Sequence, residues 1–424
     1  MPISAGRGYD VLVVGAGPAG LAATACASGG GRRVGLVDDN PDLGGQIWRN
    51  ERPRPTGRAA AAWFGKVREA EFEPLAATRV VGLAGPNALV AESDGRLVEL
   101  GYRALILATG ARELFLPFPG WTLPNVVGAG GLQALVKSGL PIAGKTVVVA
   151  GSGPLLLAVA AALKKKGAII PVVAEQAPLA RLARFGLGLW SEPGKLLQAV
   201  GLRRDLAGVR YRAGCWPVEA RGEGAVRSVT LTDGRSAWDV PCDYLACGFG
   251  LVPNLELPGL LGCAIEAGAT RVDRWQRTTV ADVYCAGEAA GVGGLDTALL
   301  EGQIAGLAAA GRAAEGLALL RHRDDARRFA TALGRAFAPR DDLRRLARPD
   351  TIVCRCEDVT AAALAGRTSW VDAKLQTRCG MGPCQGRVCG GATAFLHGWD
   401  RGTVRPPIFP TSVENLAEAG RPPA

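Results

Sequence analysis

Two copies of one pattern, an apolar strand, a glycine-rich loop, a helix and a second strand, constrain the fold of this 424-residue chain more than any other feature. In the first copy the apolar run Asp10–Val14 leads into the loop Gly15–Gly20 and an alanine-rich helix. The second strand, Arg33–Val37, ends at an acid, Asp38. Short, continuously apolar runs of this kind are typical of parallel strands that are buried on both faces of a sheet.

The first loop has the spacing G-x-G-x-x-G, and Asp38 follows its last glycine by 18 residues. Glycines let the backbone approach a pyrophosphate closely, and the start of the following helix offers unpaired N–H groups and the positive end of its dipole. An acid at the end of the second strand accepts a hydrogen bond from a ribose hydroxyl. The complete context therefore predicts a dinucleotide site.

The second copy begins at Lys145–Val149 and continues through Gly151, Gly153 and a helix that reaches Lys166, and its second strand ends at Glu175. The third glycine position holds Leu156, where glycine normally permits close packing between helix and strand. We expect the local fold to survive this change. Whether a nucleotide binds at Gly151, Gly153 and Glu175 stays open.

Three further apolar segments end in turns of small residues: Leu105–Gly110, Leu245–Asn254 and Val283–Glu288. A glycine-rich turn and an Ala/Leu helix through Ala310 follow the last of them. The next segment, 311–349, is rich in Arg and Asp and is predicted to be a helical linker. One uncharged stretch, Thr146–Leu163, approaches transmembrane length, but its internal Gly and Pro residues favour a buried strand, turn and helix.

Composition and charge limit the function. A hydrophobic fraction of 48% excludes a mostly disordered chain. The chain has two histidines, which are too few to favour a His-based hydrolase or a His-rich metal site. The net charge is +10, but no basic stripe is interleaved with aromatic residues, so we expect no nucleic acid partner. An acidic protein partner or an anionic cofactor explains the charge as well. With no signal peptide, we expect a cytoplasmic protein whose cysteines are thiols or metal ligands.

Five of the eleven cysteines lie within 36 residues near the C-terminus: Cys354, Cys356, Cys379, Cys384 and Cys389. The spacing is C-x-C, followed by C-x4-C and C-x4-C. Four thiolates can hold a 2Fe–2S cluster, two for each iron. A structural zinc site is the main alternative, although zinc favours pairs spaced C-x2-4-C. A group of idle core cysteines is the third reading.

The two glycine loops and the late Gly287-Glu288 pair resemble the two-dinucleotide-binding-domain flavoproteins, which include glutathione-reductase-like and thioredoxin-reductase-like enzymes. The resemblance implies FAD in the first unit and NAD(P)H in the inserted second unit. By this resemblance the FAD-binding residues are Gly15, Gly17, Pro18, Ala19, Gly20, Asp38, Asp39, Gly45, Gln46, Thr109, Gly110, Gly287 and Glu288. Glu288 departs from the usual Asp. The C-x4-C pair of Cys242 and Cys247 runs into an apolar strand, so we expect core packing and no disulfide reductase.

The cysteine-rich segment resembles the bacterioferritin-associated-ferredoxin-like 2Fe–2S domain. Its combination with such a flavoprotein resembles the alpha subunits of heteromeric dehydrogenases: hydrogen cyanide synthase, opine oxidases, and proline and hydroxyproline dehydrogenases. The resemblance implies Cys354 and Cys356 on one iron and Cys384 and Cys389 on the other. Cys379 stands where the family usually has a residue that does not ligate. Neighbouring arginines and glycine N–H groups can offset the negative charge of such a cluster.

The predicted fold class is α/β, with two Rossmann-like, glutathione-reductase-like domains and a small C-terminal helical 2Fe–2S domain. The predicted domains are 1–115 with 255–311 (FAD-binding), 116–254 (inserted, NAD(P)-binding-like), 312–349 (helical linker), 350–400 (2Fe–2S) and 401–424 (extended tail). Catalytic residues are not assigned, because no convincing general base is apparent.

The resemblance places substrate oxidation in a beta subunit similar to D-amino-acid oxidase. This chain would then pass electrons from an amino or imino acid (proline, hydroxyproline, an opine or glycine) to a non-pyridine acceptor. A hetero-oligomer is implied; an interfacial FMN, a small ferredoxin-like gamma subunit and peripheral membrane association stay open. Two alternatives remain: a stand-alone NAD(P)H-dependent reductase, with an adenine nucleotide in the second domain, and a zinc-stabilised scaffold without activity.

Overall fold

A computed structural model describes residues 4–188 and 193–419 of the chain. Its α-helices are α1 (Pro18–Ala27), α2 (Arg58–Glu69), α3 (Ala129–Lys137), α4 (Pro154–Lys165), α5 (Leu179–Gly188), α6 (Pro193–Asp205), α7 (Glu256–Leu260), α8 (Gly294–Ala309), α9 (Leu317–Ala336), α10 (Ala361–Leu364), α11 (Trp370–Thr377), α12 (Cys389–His397) and α13 (Val413–Ala419). Short 3₁₀ turns span Gly287–Ala290, Ala313–Gly316 and Asp341–Arg345.

The strands are β1 (Ser4–Val14), β2 (Val34–Val37), β3 (Glu73–Leu75), β4 (Thr78–Gly85), β5 (Ala88–Ser93), β6 (Arg96–Leu107), β7 (Ala111–Glu113), β8 (Val126–Gly128), β9 (Val147–Gly151), β10 (Val172–Glu175), β11 (Arg210–Ala213), β12 (Trp216–Arg221), β13 (Ser228–Thr232), β14 (Ala237–Pro241), β15 (Tyr244–Gly248), β16 (Leu251–Pro253), β17 (Ile265–Glu266), β18 (Ala269–Thr270), β19 (Val283–Cys285), β20 (Ile352–Cys354) and β21 (Val359–Thr360).

The chain divides into two compact units, the first formed by Met1–Arg112, Val252–Thr331 and Thr403–Ala424. Its main sheet has the order β3-β2-β1-β6-β5-β4, and β19 also pairs with β6. Strands β1, β2, β3, β6 and β19 run parallel, and β4 and β5 extend the sheet through antiparallel pairing. Helix α8 packs closely on α1, because a Cβ at Gly302 would lie 2.2 Å from the carbonyl oxygen of Ala19.

The second unit, Glu113–Leu251 with Ala332–Gly402, contains the second glycine loop. Its parallel sheet has the order β11-β10-β9-β15-β8, and β12, β13 and β14 form a separate antiparallel sheet. Leu156 is buried in the apolar core beside Val149 and Val159, and α4 still begins at Pro154, directly after the loop. The expectation that the local fold tolerates this leucine is confirmed.

The cysteine-rich segment belongs to the second unit. It consists of the antiparallel pair β20–β21 and helices α10, α11 and α12 around a small apolar core that contains Trp370 and Trp399. The five-domain division made from the sequence stays a prediction, and parts of its first, second and last domains (1–3, 189–192 and 420–424) lie outside the described residues.

The tail is not extended throughout, because α13 forms at Val413–Ala419. The prolines that favour extended backbone stop at Pro410, and the Ser412 hydroxyl accepts a hydrogen bond from the N–H of Asn415 at the helix start. Before this helix the tail packs against the core of the first unit. Ile408 is buried there, and its N–H donates a hydrogen bond to the carbonyl oxygen of Val81 on β4.

Candidate functional site

The first glycine loop connects β1 to α1 and forms an open cradle. Gly15 has φ +107°, and a Cβ there would lie 2.2 Å from the carbonyl oxygen of Ala108, so only glycine fits. At Gly17, which caps α1, a Cβ would meet nothing within 4 Å, and no side chain caps the helix. The first N–H groups of a helix have no partner within it, so the start of α1 can receive an anion.

The acid after β2 is bound to the same loop. Asp38 is buried, and its carboxylate accepts hydrogen bonds from the N–H of Ala16 at 2.5 Å and the N–H of Asn40 at 2.8 Å. Burial raises the pKa of neighbouring Asp39, and the charge of Asp38 raises it further. The structure therefore brings Asp38 to the loop, as expected for such a unit, with Asp39 next to it in the chain.

Another predicted FAD residue, Gly45, also meets this loop. Gly45 has φ +58°, and a Cβ there would lie 2.8 Å from the Cα of Gly17. Gln46 follows directly, and its side-chain oxygen accepts a hydrogen bond from the Arg49 guanidinium at 3.0 Å. The Gly45 backbone therefore lies against the glycine loop, with Gln46 next to it in the chain.

The turn at Thr109 and Gly110 is fixed by one side chain. The Thr109 hydroxyl donates to the carbonyl oxygen of Asn254 at 2.9 Å, and the Asn254 amide donates back to the carbonyl oxygen of Thr109 at 2.8 Å. The N–H of Asn254 also bonds to the carbonyl oxygen of Gly110. The sequence predicted this turn, but it assigned no role to Asn254.

The late Gly287-Glu288 pair also reaches the first helix. Gly287 has φ +74°, and a Cβ there would lie 2.8 Å from the Cβ of Ala19. The Glu288 carboxylate accepts hydrogen bonds from the N–H groups of Gly293 at 3.3 Å and Gly294 at 2.8 Å, at the start of α8. Burial raises the pKa of Glu288. The longer side chain of Glu thus folds back onto its own loop.

A buried ion pair that the sequence did not single out supports this motif. Glu301 on α8 has no exposed surface, and it accepts a hydrogen bond from the Gly287 N–H at 2.9 Å. Its carboxylate also pairs with the Arg327 guanidinium, which donates to the carbonyl oxygen of Ala290 at 3.0 Å. Glu301 looks like an ordinary helix residue in the sequence, and only the fold brings it to Gly287.

These residues fit a dinucleotide such as FAD. The loop is open at Gly17, the start of α1 carries no cap, and the backbones of Gly45 and Gly287 approach α1 closely. Asp38, Asp39, Gln46 and the turn at Thr109 complete the predicted set, all within the first unit. Their individual contacts with a cofactor stay predictions.

The second glycine loop meets the same steric limit at its first glycine, but its second glycine has a different backbone conformation. A Cβ at Gly151 would lie 1.8 Å from the carbonyl oxygen of Gly248, and Gly153 has φ +105°. Glu175 is almost fully buried and accepts hydrogen bonds from the N–H groups of Gly153 at 2.7 Å and Ala177 at 2.8 Å. Burial raises the pKa of Glu175 to about 7. Its carboxylate is therefore engaged within the protein.

Three of the five clustered cysteines meet in the core of the C-terminal segment. The sulfur atoms of Cys354, Cys379 and Cys389 lie within 4.8 Å of one another, and all three residues are buried. Cys356 and Cys384 interact with each other at a more exposed position. The structure thus groups Cys354 with Cys389 and places Cys356 beside Cys384, and which thiols share an iron stays a prediction. It also brings Cys379 into the group.

The sulfur atoms have polar support. The thiols of Cys379 and Cys389 lower the pKa of Cys354, and the N–H of Gly380 donates to its sulfur atom at 3.4 Å. Trp370 packs on the backbone of the loop, since a Cβ at Gly380 would lie 2.5 Å from its ring. Glycine at this position therefore lets an N–H group reach the cluster. A set of three to five thiols with such donors fits a thiolate-bound metal centre.

The remaining candidates are structural. Cys242 and Cys247 are buried in the core of the second unit, and burial raises the pKa of both thiols, which confirms the expectation of core packing. His397 stacks on Trp399 with ring centroids 4.4 Å apart.

Across 4–188 and 193–419, no helix combines the length and apolar character needed to cross a membrane.

Comparison with known proteins agrees with this site. Residues 9–314 match the pyridine nucleotide-disulphide oxidoreductase family. The chain is 32% identical to the hydrogen cyanide synthase component HcnB from Pseudomonas protegens, with 90% of each chain covered. It is also 32% identical to one of the subunits of opine oxidase from Rhizobium meliloti, with 98% of this chain and 99% of the relative covered.

A solved structure resembles the whole chain. The L-proline dehydrogenase from P. horikoshii matches with a TM-score of 0.71, covering 97% of this chain and 79% of the other. At 19% identity this match shows the fold alone. The chain therefore belongs to the pyridine nucleotide-disulphide oxidoreductase family, and it is an oxidoreductase, a flavoprotein subunit of the type found in FAD-dependent amino-acid dehydrogenases and oxidases.

Proposed function

We propose that this chain is the electron-transferring flavin and iron–sulfur subunit of a heteromeric dehydrogenase. A partner subunit similar to D-amino-acid oxidase oxidises an amino or imino acid of the proline, hydroxyproline, opine or glycine class. The electrons leave this chain for a non-pyridine acceptor. The observation that carries the proposal is the grouping of buried Cys354, Cys379 and Cys389 in a chain that also holds an open dinucleotide loop.

The cysteine geometry supports a 2Fe–2S centre. Two thiolates bind each iron of such a cluster, and the structure offers the pair Cys354 with Cys389 and the pair Cys356 with Cys384. Cys379 then acts as a neighbouring thiol that donates a hydrogen bond to a ligand sulfur. FAD exchanges electrons in pairs and an iron–sulfur cluster exchanges them singly, so the two cofactors together connect a two-electron substrate to a one-electron acceptor.

The relatives support a multi-subunit enzyme. HcnB and the opine oxidase relative are both subunits by name, and this chain covers at least nine-tenths of each. No general base was assigned from the sequence, and His397, one of its two histidines, is stacked on a tryptophan beside the cysteine segment. This is consistent with substrate oxidation in a partner subunit.

The test is anaerobic purification of the full-length chain with its native partners. We expect about two irons for each copy of this chain, an EPR signal after reduction, and bound flavin. Dye reduction with one of the proposed substrate classes should require the complex and should be absent with this chain alone. Zinc in place of iron, or substrate-dependent dye reduction by this chain alone, would overturn the proposal.

A matched pair of variants connects the iron to the cysteine cluster. Cys356→Ser should lose the EPR signal and at least half of the iron, because one iron loses a thiolate ligand. Cys26→Ser, at the end of α1 in the first unit, serves as the control and should keep the full iron content. Equal iron in both variants would place the metal elsewhere.

A further inference from the structure

We infer that the chain closes its own second glycine loop. The segment Phe337–Arg340, which directly follows α9, lies on the loop between β9 and α4 and takes the place where a pyridine nucleotide would bind. The second dinucleotide-binding domain then serves as a platform for the cysteine-rich segment and does not receive NADH or NADPH. This inference does not depend on the proposed substrate or partner.

Backbone atoms of the segment satisfy the polar side chains of the loop. The Ser152 hydroxyl, between the two loop glycines, donates to the carbonyl oxygen of Phe337 at 2.7 Å. The Gln176 amide donates to the carbonyl oxygens of Phe337 at 3.3 Å and Ala338 at 3.2 Å, and its own oxygen accepts the N–H of Arg340 at 3.2 Å. Gln176 therefore bonds along the segment in both directions.

Gln176 and Glu175 occupy the end of β10, where a dinucleotide fold receives the adenosine ribose. Gln176 is 0% exposed and Glu175 is 1% exposed. The Glu175 carboxylate accepts the N–H of Gly153 in the loop, and the adjacent Gln176 side chain is taken up by the segment Phe337–Arg340. In the first unit the corresponding Asp38 carboxylate is held in the same way by its own loop, through the N–H groups of Ala16 and Asn40, so what distinguishes the second unit is the segment bound by Ser152 and Gln176.

Ring and cation contacts hold the segment in place. Phe337 meets Phe185 edge to face, with ring centroids 6.0 Å apart, and the guanidinium of Arg340 stacks over Trp216 at 4.2 Å. The Arg181 side chain donates to the carbonyl oxygen of Ala338 at 2.9 Å. Stacked cations and aromatic pairs are individually weak contacts, so several of them act together on these four residues.

The closing segment continues into the cysteine-rich region. A 3₁₀ turn follows at Asp341–Arg345, and Leu343 within it is buried in the core of the second unit. Farther along, the indole N–H of Trp121 donates to the carbonyl oxygen of Ile352 at 2.5 Å, two residues before Cys354. The same compact unit thus holds both the segment and the strand that carries the first clustered cysteine.

Hydrogen exchange and nucleotide titration of the anaerobic holoprotein test the inference. NADH and NADPH, each at about 1 mM, should leave the exchange of residues 151–156 unchanged and should not bleach the flavin. Nucleotide protection confined to residues 15–20 would also support a closed second loop. Saturable binding in the micromolar range that protects residues 151–156, or rapid bleaching, would overturn it.

A variant tests the contact itself. Gln176→Leu removes the acceptor of the Arg340 N–H, so exchange at that amide should rise about tenfold or more. The control is Gln198→Leu, at an exposed position of α6 in the same domain. This variant should leave the exchange rate of the Arg340 amide unchanged. If Gln176→Leu does not fold, the wild-type amide of Arg340 still decides: exchange as fast as in an exposed loop would refute the closure.

Discussion

Glu301 and Arg327 form an ion pair whose two members are buried to different degrees, so removing one or the other should destabilise the protein by different amounts. Glu301 has no exposed surface, whereas the Arg327 side chain is 29% exposed. Arg327→Met leaves a buried carboxylate with the Gly287 N–H as its main remaining donor, and breaking a buried pair in this way typically costs about 3–5 kcal/mol. Glu301→Gln leaves an arginine that water can partly reach and keeps an acceptor for Gly287, so it should cost about 1–2 kcal/mol.

The pH dependence has a definite sign. Burial already raises the pKa of Glu301 while the Arg327 charge lowers it, so loss of that charge in Arg327→Met should raise the pKa further. A carboxyl whose pKa is higher in the folded state is favoured by protonation, and its contribution to stability is lost as the pH rises through the folded-state pKa. The deficit of Arg327→Met should therefore be larger at pH 8 than at pH 5.

The assay is hydrogen exchange at the Gly287 amide together with urea unfolding of the full-length chain and the flavin content after purification. Because two compact units need not unfold together, the local exchange of Gly287 gives the cleaner free energy. Arg328→Met is the matched control: Arg328 is 74% exposed and pairs with Asp325 on the helix surface, so its loss should cost less than about 1 kcal/mol.

The reasoning would be refuted by either of two results. Equal losses in Arg327→Met and Arg328→Met would mean that burial of Glu301 does not control the energy. A larger loss of unfolding free energy in Glu301→Gln than in Arg327→Met would mean that the unpaired arginine, and not the unpaired carboxylate, is the more destabilising group.

Three further predictions concern the second unit. Cys379→Ser should keep the iron content of the wild type, measured by metal analysis, while shifting the reduction potential, because in the proposed centre Cys379 only donates a hydrogen bond to the sulfur atom of Cys354. Iron loss equal to that of Cys356→Ser would make Cys379 a ligand. Glu175→Gln should remove a pH dependence of the unfolding free energy, because a pKa raised from 4.5 to about 7 is worth about 3 kcal/mol. The wild type should lose that much stability relative to the variant as the pH rises from below 4.5 to above 7. Parallel pH profiles of the two proteins in urea unfolding would contradict this. Trp121→Phe should speed exchange in residues 350–354 by removing the donor to Ile352, and unchanged exchange there would show that the indole bond does not hold β20.

Much of the fold was predictable because its information is local. Apolar runs, glycine spacing and terminal acids identified β1, α1, β2 and their counterparts β9, α4 and β10. The strand ends were predicted less well, since they depend on partners that are distant in sequence: β1 begins six residues earlier than predicted, at Ser4, whereas β2 and β9 begin later, at Val34 and Val147. The helix at Val413–Ala419 was not predicted, because the nearby prolines favoured an extended tail. Serine is a common residue type at a helix N-terminus, and Ser412 was the signal that could have identified this helix.

The candidate site was predictable where one residue type is required for a steric or coordination reason. Gly15 leaves no room for a Cβ, and the clustered cysteines are conspicuous by their spacing. Glu301, Arg327 and Gln176 carried no such signal, because Glu, Arg and Gln are common on helices and strand ends. Their importance arises from burial against partners that lie far away in the chain.

The two glycine loops explain why a motif predicts a backbone more safely than it predicts a ligand. In both loops a Cβ at the first glycine would collide with a backbone carbonyl oxygen, that of Ala108 at 2.2 Å for Gly15 and that of Gly248 at 1.8 Å for Gly151, so both sequences require glycine at this position. What a loop binds depends on which groups then reach it. In the second unit a serine at position 152 and a glutamine at position 176 provide partners for peptide groups, and the chain itself supplies the peptide. A domain built for nucleotide binding can thus support a neighbouring segment without any change of fold, since only the polar side chains at the mouth of the loop need to differ.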